Sequence, residues 1–114
     1  MFSNIFNLES VENILNGAIC RYGIKNQFMK LGEELNELAV EIFKVLQYKE
    51  AHNKGSYDLE DLIMNNRFIG EYADVIIMMY QINVIMGNDN KFKNAVEKMI
   101  QYKINRLEEK LYKE

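Results

Sequence analysis

Five acidic residues fall at spacings that could do chemistry. Glu33, Glu34 and Glu37 stand in one cluster, and Glu71 and Asp74 repeat the spacing of three further along. Residues three apart on a helix are neighbours on its surface, so each cluster can aim two carboxylates at one point. At about 100° per residue, Glu34, Glu37 and Glu41 line a strip beside the apolar face of their helix, with Glu33 further round next to Glu37. If the two helices pack together, Glu34, Glu37, Glu71 and Asp74 converge. Two carboxylates about 4 Å apart repel by roughly 4 kcal/mol at an effective dielectric near 20, and four repel more. A hard divalent cation that prefers oxygen ligands relieves this, Mg²⁺ above all and Mn²⁺ as an alternative.

An ordinary explanation exists for each cluster alone. The chain has 17 acidic residues in 114, and Glu9 and Glu12 show the same spacing at what reads as a solvated helix start. Glu33, Glu34 and Glu37 could form surface pairs with Lys30 and Lys44. Glu71 and Asp74 open a helix that is apolar nearly all round, where a first-turn interaction with the helix dipole would also favour acids. Both clusters together, in this order and on helices, are a more specific signal than either.

The elements that must hold these residues read as helices throughout. From about Leu8 to Tyr22, Val11, Ile14, Leu15, Ala18 and Ile19 share one face, and Gly23 ends the element. A second helix begins near Lys25 and fades by about Glu50, with Phe28, Leu31, Leu35, Leu38, Ile42, Val45 and Leu46 as its stripe. Ala51 to Asp58 reads as a connection around Gly55, with Ser56 or Asp58 able to cap the next element. Leu59 to Phe68 reads as a short helix with Gly70 as a bend. Glu71 then starts a helix through Val75, Met78, Gln81 and Ile85 to Gly87. Asn88 or Asp89 caps a last helix carrying Val96, Ile100, Ile104, Leu107 and Leu111, with a lysine-rich end suited to the C-terminal dipole. The expected fold class is all-α: an antiparallel bundle of four to five helices, one domain spanning 1–114, assembling through helix packing.

The totals agree. Hydrophobic residues make up 48% and proline is absent, which favours uninterrupted helices. A net charge of −3 argues against general affinity for nucleic acid or anionic membrane. A single cysteine, Cys20, allows no internal disulfide, and the start of the chain lacks signal-peptide features, so a cytoplasmic protein without a membrane span is expected. A chain this short buries a modest fraction of its surface, which favours self-association.

Two stretches carry a resemblance. Lys30-Leu31-Gly32-Glu33-Glu34-Leu35-Asn36-Glu37-Leu38 and Gly70-Glu71-Tyr72-Ala73-Asp74-Val75 resemble the paired Glu-Glu-x-x-Glu and Glu-x-x-Asp signatures of the MazG-like all-α nucleoside triphosphate pyrophosphohydrolases. The similarity extends to Gln27 and to Lys103-Ile104-Asn105-Arg106, which is like the basic ending of small, often phage-encoded members. It runs from roughly Tyr22 to Leu111, and departs in a longer stretch between Glu37 and Glu71.

The resemblance implies Mg²⁺-dependent hydrolysis of an NTP or dNTP to the monophosphate and pyrophosphate, by a homodimer or a tetramer of two dimers. It makes Glu34, Glu37, Glu71 and Asp74 the metal ligands. Glu33 becomes an extra ligand or a base acting on the attacking water, with Glu37 the other catalytic candidate. Gln27 is a substrate-binding candidate. An anionic substrate also needs cations, for which Lys98, Lys103 and Arg106 are candidates; the alternative is a charged, solvated helix face.

Other classes stay open. A catalytically silent helical module could dimerise through residues 75–86, and a phosphoribosyl-ATP pyrophosphohydrolase would share fold and chemistry. His52 reads as an exposed loop residue and Cys20 as a small buried hydrophobe. Met78, Met79 and Met86 read as packing in a core or a subunit interface. Tyr22, Phe28 or Tyr80 could stack on a nucleobase, with Gln27 or Gln81 at its edge.

Overall fold

The computed structural model describes residues 2–51, 64–87 and 89–113, and every regular element among them is a helix. These are α1 (Ser3–Phe6), α2 (Glu9–Tyr22), α3 (Ile24–Ala51), α4 (Asn66–Ile85) and α5 (Asn90–Lys113). The all-α class is as expected. The expected loop with His52, Ser56 and Asp58 lies at residues 52–63, outside the described residues.

Local chemistry explains the boundaries. Gly23 has φ 86°, which an L side chain rarely adopts, and its N–H bonds back to the Ile19 carbonyl at 2.9 Å. That one residue ends α2 and lets α3 begin at Ile24. Gly87, at φ 65°, follows the end of α4 in the same way. At the start of α5 the Asp89 carboxylate accepts from the Lys91 N–H at 2.6 Å, so Asp89 is a capping residue there.

The start of α4 differs from expectation. Asn65 accepts a hydrogen bond from the Phe68 N–H at 3.0 Å and caps a helix that begins at Asn66. Phe68 therefore belongs to the first turn of α4, and Gly70 lies inside the helix. Glu71 and Asp74 sit beyond the first turn, which contains no acid. Because the dipole effect fades within that turn, it does not explain them.

Helices α3 and α4 form the main interface, and α2 packs on both. The inward face is unusually polar. Among the described residues, Leu15, Val75 and Met78 are the buried apolar side chains, and Gln27, Glu34 and Gln81 are buried beside them. Gln81 ties α4 to α2 by donating to the Leu15 carbonyl at 3.3 Å.

Much apolar surface faces outward. Phe28, Leu35 and Ile42 are exposed along α3, as are Met79 on α4 and Met86 just after it, whereas Met78 is buried. Cys20 is also exposed rather than buried. From Lys93 onward every described residue of α5 is exposed, and no other described helix packs along it. By length and composition α4 is apolar enough to cross a membrane, with mean hydropathy 1.2. Its inward side nevertheless carries Glu71 and Gln81 against α3 and α2, as a central bundle helix would.

Candidate metal centre

Antiparallel packing of α3 on α4 assembles the acids. Asp74 neighbours Glu34, and Glu71 neighbours Glu37, so the partners step down one helix as they step up the other. Glu34, Glu71 and Asp74 each place a carboxylate oxygen within 4.8 Å of the other two.

Two of these side chains hold an unsatisfied oxygen. Glu34 is only 4% exposed. Its Oε1 pairs with Lys30 Nζ at 2.9 Å, while its Oε2 is buried with no hydrogen-bond partner among the described residues. Glu71 Oε2 is likewise buried and unpartnered among them. An unsatisfied buried acceptor costs about 1–3 kcal/mol, and more when charged. For Glu34, nearly buried, that is a large penalty in a small domain with a marginal net stability.

Electrostatics agrees with the geometry. Burial, followed by the nearby Glu37 carboxyl and the charges of Asp74 and Glu34, pushes the Glu71 carboxyl above the ordinary range. Asp74 is raised as well, first by burial, then by Glu34 and Glu37, with Lys30 opposing. Like charges crowded in a partly buried site disfavour full ionisation. A divalent cation would remove that conflict. The donor set is all carboxylate oxygen, which fits Mg²⁺ or Mn²⁺ and lacks the nitrogen or sulfur that softer metals favour.

The remaining candidates occupy distinct places. Glu37 is exposed but within hydrogen-bonding reach of Glu71, at the edge of the trio. Glu33 is exposed and outside the trio. Glu41 pairs with Lys44 at 3.4 Å. Gln27 is buried beside a groove of about 640 Å³ between α2, α3 and α4, bordered also by Tyr22, Lys30, Met78 and Gln81. Lys98, Lys103 and Arg106 lie exposed on α5, and neither the trio nor the groove includes them. Arg106 instead stands over the Tyr102 ring at 5.9 Å.

Of the aromatic candidates, Tyr22 borders the groove, whereas Phe28 does not. Tyr80 stacks on Phe6 with ring centroids 3.8 Å apart, so one of its faces is already covered. The groove itself, and Lys30 as its link to the acids, have no signature in one dimension beyond the four-residue spacing of Lys30 and Glu34.

Compared with protein families, curated proteins and solved structures, the chain matches none.

Proposed function

We propose that this chain is a MazG-like, Mg²⁺-dependent pyrophosphohydrolase that converts a nucleoside triphosphate to its monophosphate and pyrophosphate. The observation that carries this reading is the pair of buried, unpartnered oxygens of Glu34 and Glu71 within a three-carboxylate cluster. A hard cation held there by Glu34, Glu71 and Asp74, with Glu37 completing the set, would neutralise charge on phosphate oxygens.

The chain's own residues supply the rest. The open groove that Lys30 links to the acids has volume enough to take a nucleoside, with Gln27 and Gln81 presenting amide groups and Tyr22 an aromatic ring. Glu37 and Glu33, more open to solvent than Glu34, are the groups free to accept a proton from an attacking water. Holding the α-phosphorus in line with that water is the larger part of the catalytic task.

The active form is a homo-oligomer of antiparallel helices. Among the described residues, α5 displays Val96, Ile100, Ile104, Leu107 and Leu111 to solvent, an apolar stripe that a second copy could cover. In an assembly, Lys98, Lys103 and Arg106 could reach the acids of another copy.

The test is pyrophosphate release from a panel of NTPs and dNTPs with and without Mg²⁺, alongside Glu71→Gln. Metal-dependent release that the substitution abolishes is expected. A wild type silent on the whole panel would falsify the enzyme reading and leave the helical interaction module.

A further inference from the structure

Among the described residues, one cation acts on the acidic cluster, and the same cation borders the groove. Lys30 Nζ lies 2.9 Å from Glu34 Oε1. Its side chain also lines the groove together with Gln27 and Gln81. A triphosphate whose nucleoside sat in that groove and whose phosphates reached the trio would pass Lys30.

The two members of this ion pair differ in freedom. The Glu34 side chain is 6% exposed, whereas that of Lys30 is 52% exposed. Glu34 is fixed by packing; Lys30 ends a flexible stem with three rotatable donors and can swing. An ammonium on Glu34 satisfies part of the site's negative charge without a metal. It also competes with any cation for the same carboxylate.

We propose that Lys30 is an exchangeable counter-charge: it holds Glu34 while the site lacks a cation, then yields Glu34 and takes a phosphate oxygen of the incoming triphosphate. The proposal rests on the metal-centre reading above and adds a substrate-contacting role to a residue that otherwise looks like a surface ion pair.

Lys30→Gln and Lys30→Arg in the full chain separate this role from a structural one. Mn²⁺ binding is measured alone, from the free-ion electron paramagnetic resonance signal. Binding of α,β-methylene analogues of the four dNTPs is then measured with Mn²⁺ present. Losing an exposed competitor should tighten Mn²⁺ alone by about two- to threefold in Lys30→Gln. Losing a charge-assisted hydrogen bond should weaken the tightest analogue by about tenfold or more, and Lys30→Arg should restore most of it.

The opposite signs are the signature, because a merely structural ion pair would weaken both or neither. Mn²⁺ binding that weakens in Lys30→Gln, or an analogue affinity that does not change, overturns the proposal alone. A wild type that binds no Mn²⁺ overturns the metal reading and this proposal together.

Discussion

The carboxyl of Glu71 stands within hydrogen-bonding reach of Glu37 across the α3–α4 interface. Two ionised carboxylates do not rest comfortably in that relation, so either one holds a proton or a cation compensates them. Burial is the first cause of the raised Glu71 pKa and also of the raised Asp74 pKa. Both groups therefore titrate above their unfolded values.

That sign fixes a pH dependence. Between the unfolded and folded pKa values the native chain keeps protons that the unfolded chain has released. Stability from these two groups thus falls as pH rises through that interval and stays low above it. Metal-free protein should melt higher near pH 5 than its other titrating groups would give, and Mg²⁺ should compensate the loss at about pH 8. At a hundredfold excess over its Kd, a ligand specific to the folded state adds about 2.7 kcal/mol. The Mg²⁺ increment should shrink toward pH 5, because protons compete for the same oxygens. Thermal melts with and without Mg²⁺ at both values check this; equal increments would count against a carboxylate site.

Asp74→Asn should separate stability from function. The change keeps the shape of the side chain and removes one like charge from beside Glu34. Without metal, the variant should melt at or above the wild-type temperature. Its melting response to Mg²⁺ should be lost, and pyrophosphate release should fall on the order of a hundredfold or more. A variant less stable than wild type yet still responsive to Mg²⁺ would mean that Asp74 is an ordinary structural acid.

The acids were legible in the chain because a spacing of three is itself a statement about a helix face. Their surroundings were not. Gly70 reads as a bend in one dimension, yet a helix that is otherwise well packed tolerates a glycine, and Asn65 sets the true start of α4 through its backbone angles of φ −89° and ψ 96°. The displaced start changes the argument, since it removes the dipole as a reason for Glu71 and Asp74. The groove needs three helices at once, and no local pattern encodes it. An amphipathic stripe looks the same whether it faces its own core or another copy, so the openness of α5 was equally invisible. Cys20 illustrates the same ambiguity on a smaller scale, as a residue of a commonly buried type that lies on the open side of α2.

Gln81 offers a test of how the groove is held. It is 2% exposed, and its amide spans from α4 to the Leu15 carbonyl at 3.3 Å. That bond fixes the Nε2 end and leaves Oε1 as its available acceptor. Gln81→Leu keeps the volume and deletes the bond, at an expected cost of about 0.5–1.5 kcal/mol measured by urea unfolding. If Oε1 meets the substrate, KM for the preferred triphosphate should rise while affinity for Mn²⁺ alone stays unchanged. An unchanged KM with the stability loss intact would confine Gln81 to tethering α2.

Assembly through α5 predicts a change of mass on a conservative footprint. Ile104 and Leu107 are 53% and 54% exposed, three apart on the stretch of α5 from Lys93 onward in which every described residue is exposed. A charge on a monomeric, solvated face costs little, whereas the same charge within an interface leaves an unpaired ion in apolar surroundings. Ile104→Glu with Leu107→Glu should therefore leave helicity nearly intact if α5 is free, and convert a dimer or tetramer to monomer if it is shared. Light scattering coupled to size exclusion distinguishes the two. Because Lys103 and Arg106 lie beside these residues and outside the acidic trio and the groove of their own chain, dissociation should also weaken triphosphate binding more than Mn²⁺ binding. Loss of assembly with fully retained nucleotide affinity would show that α5 serves association alone and that its cations take no part in the site.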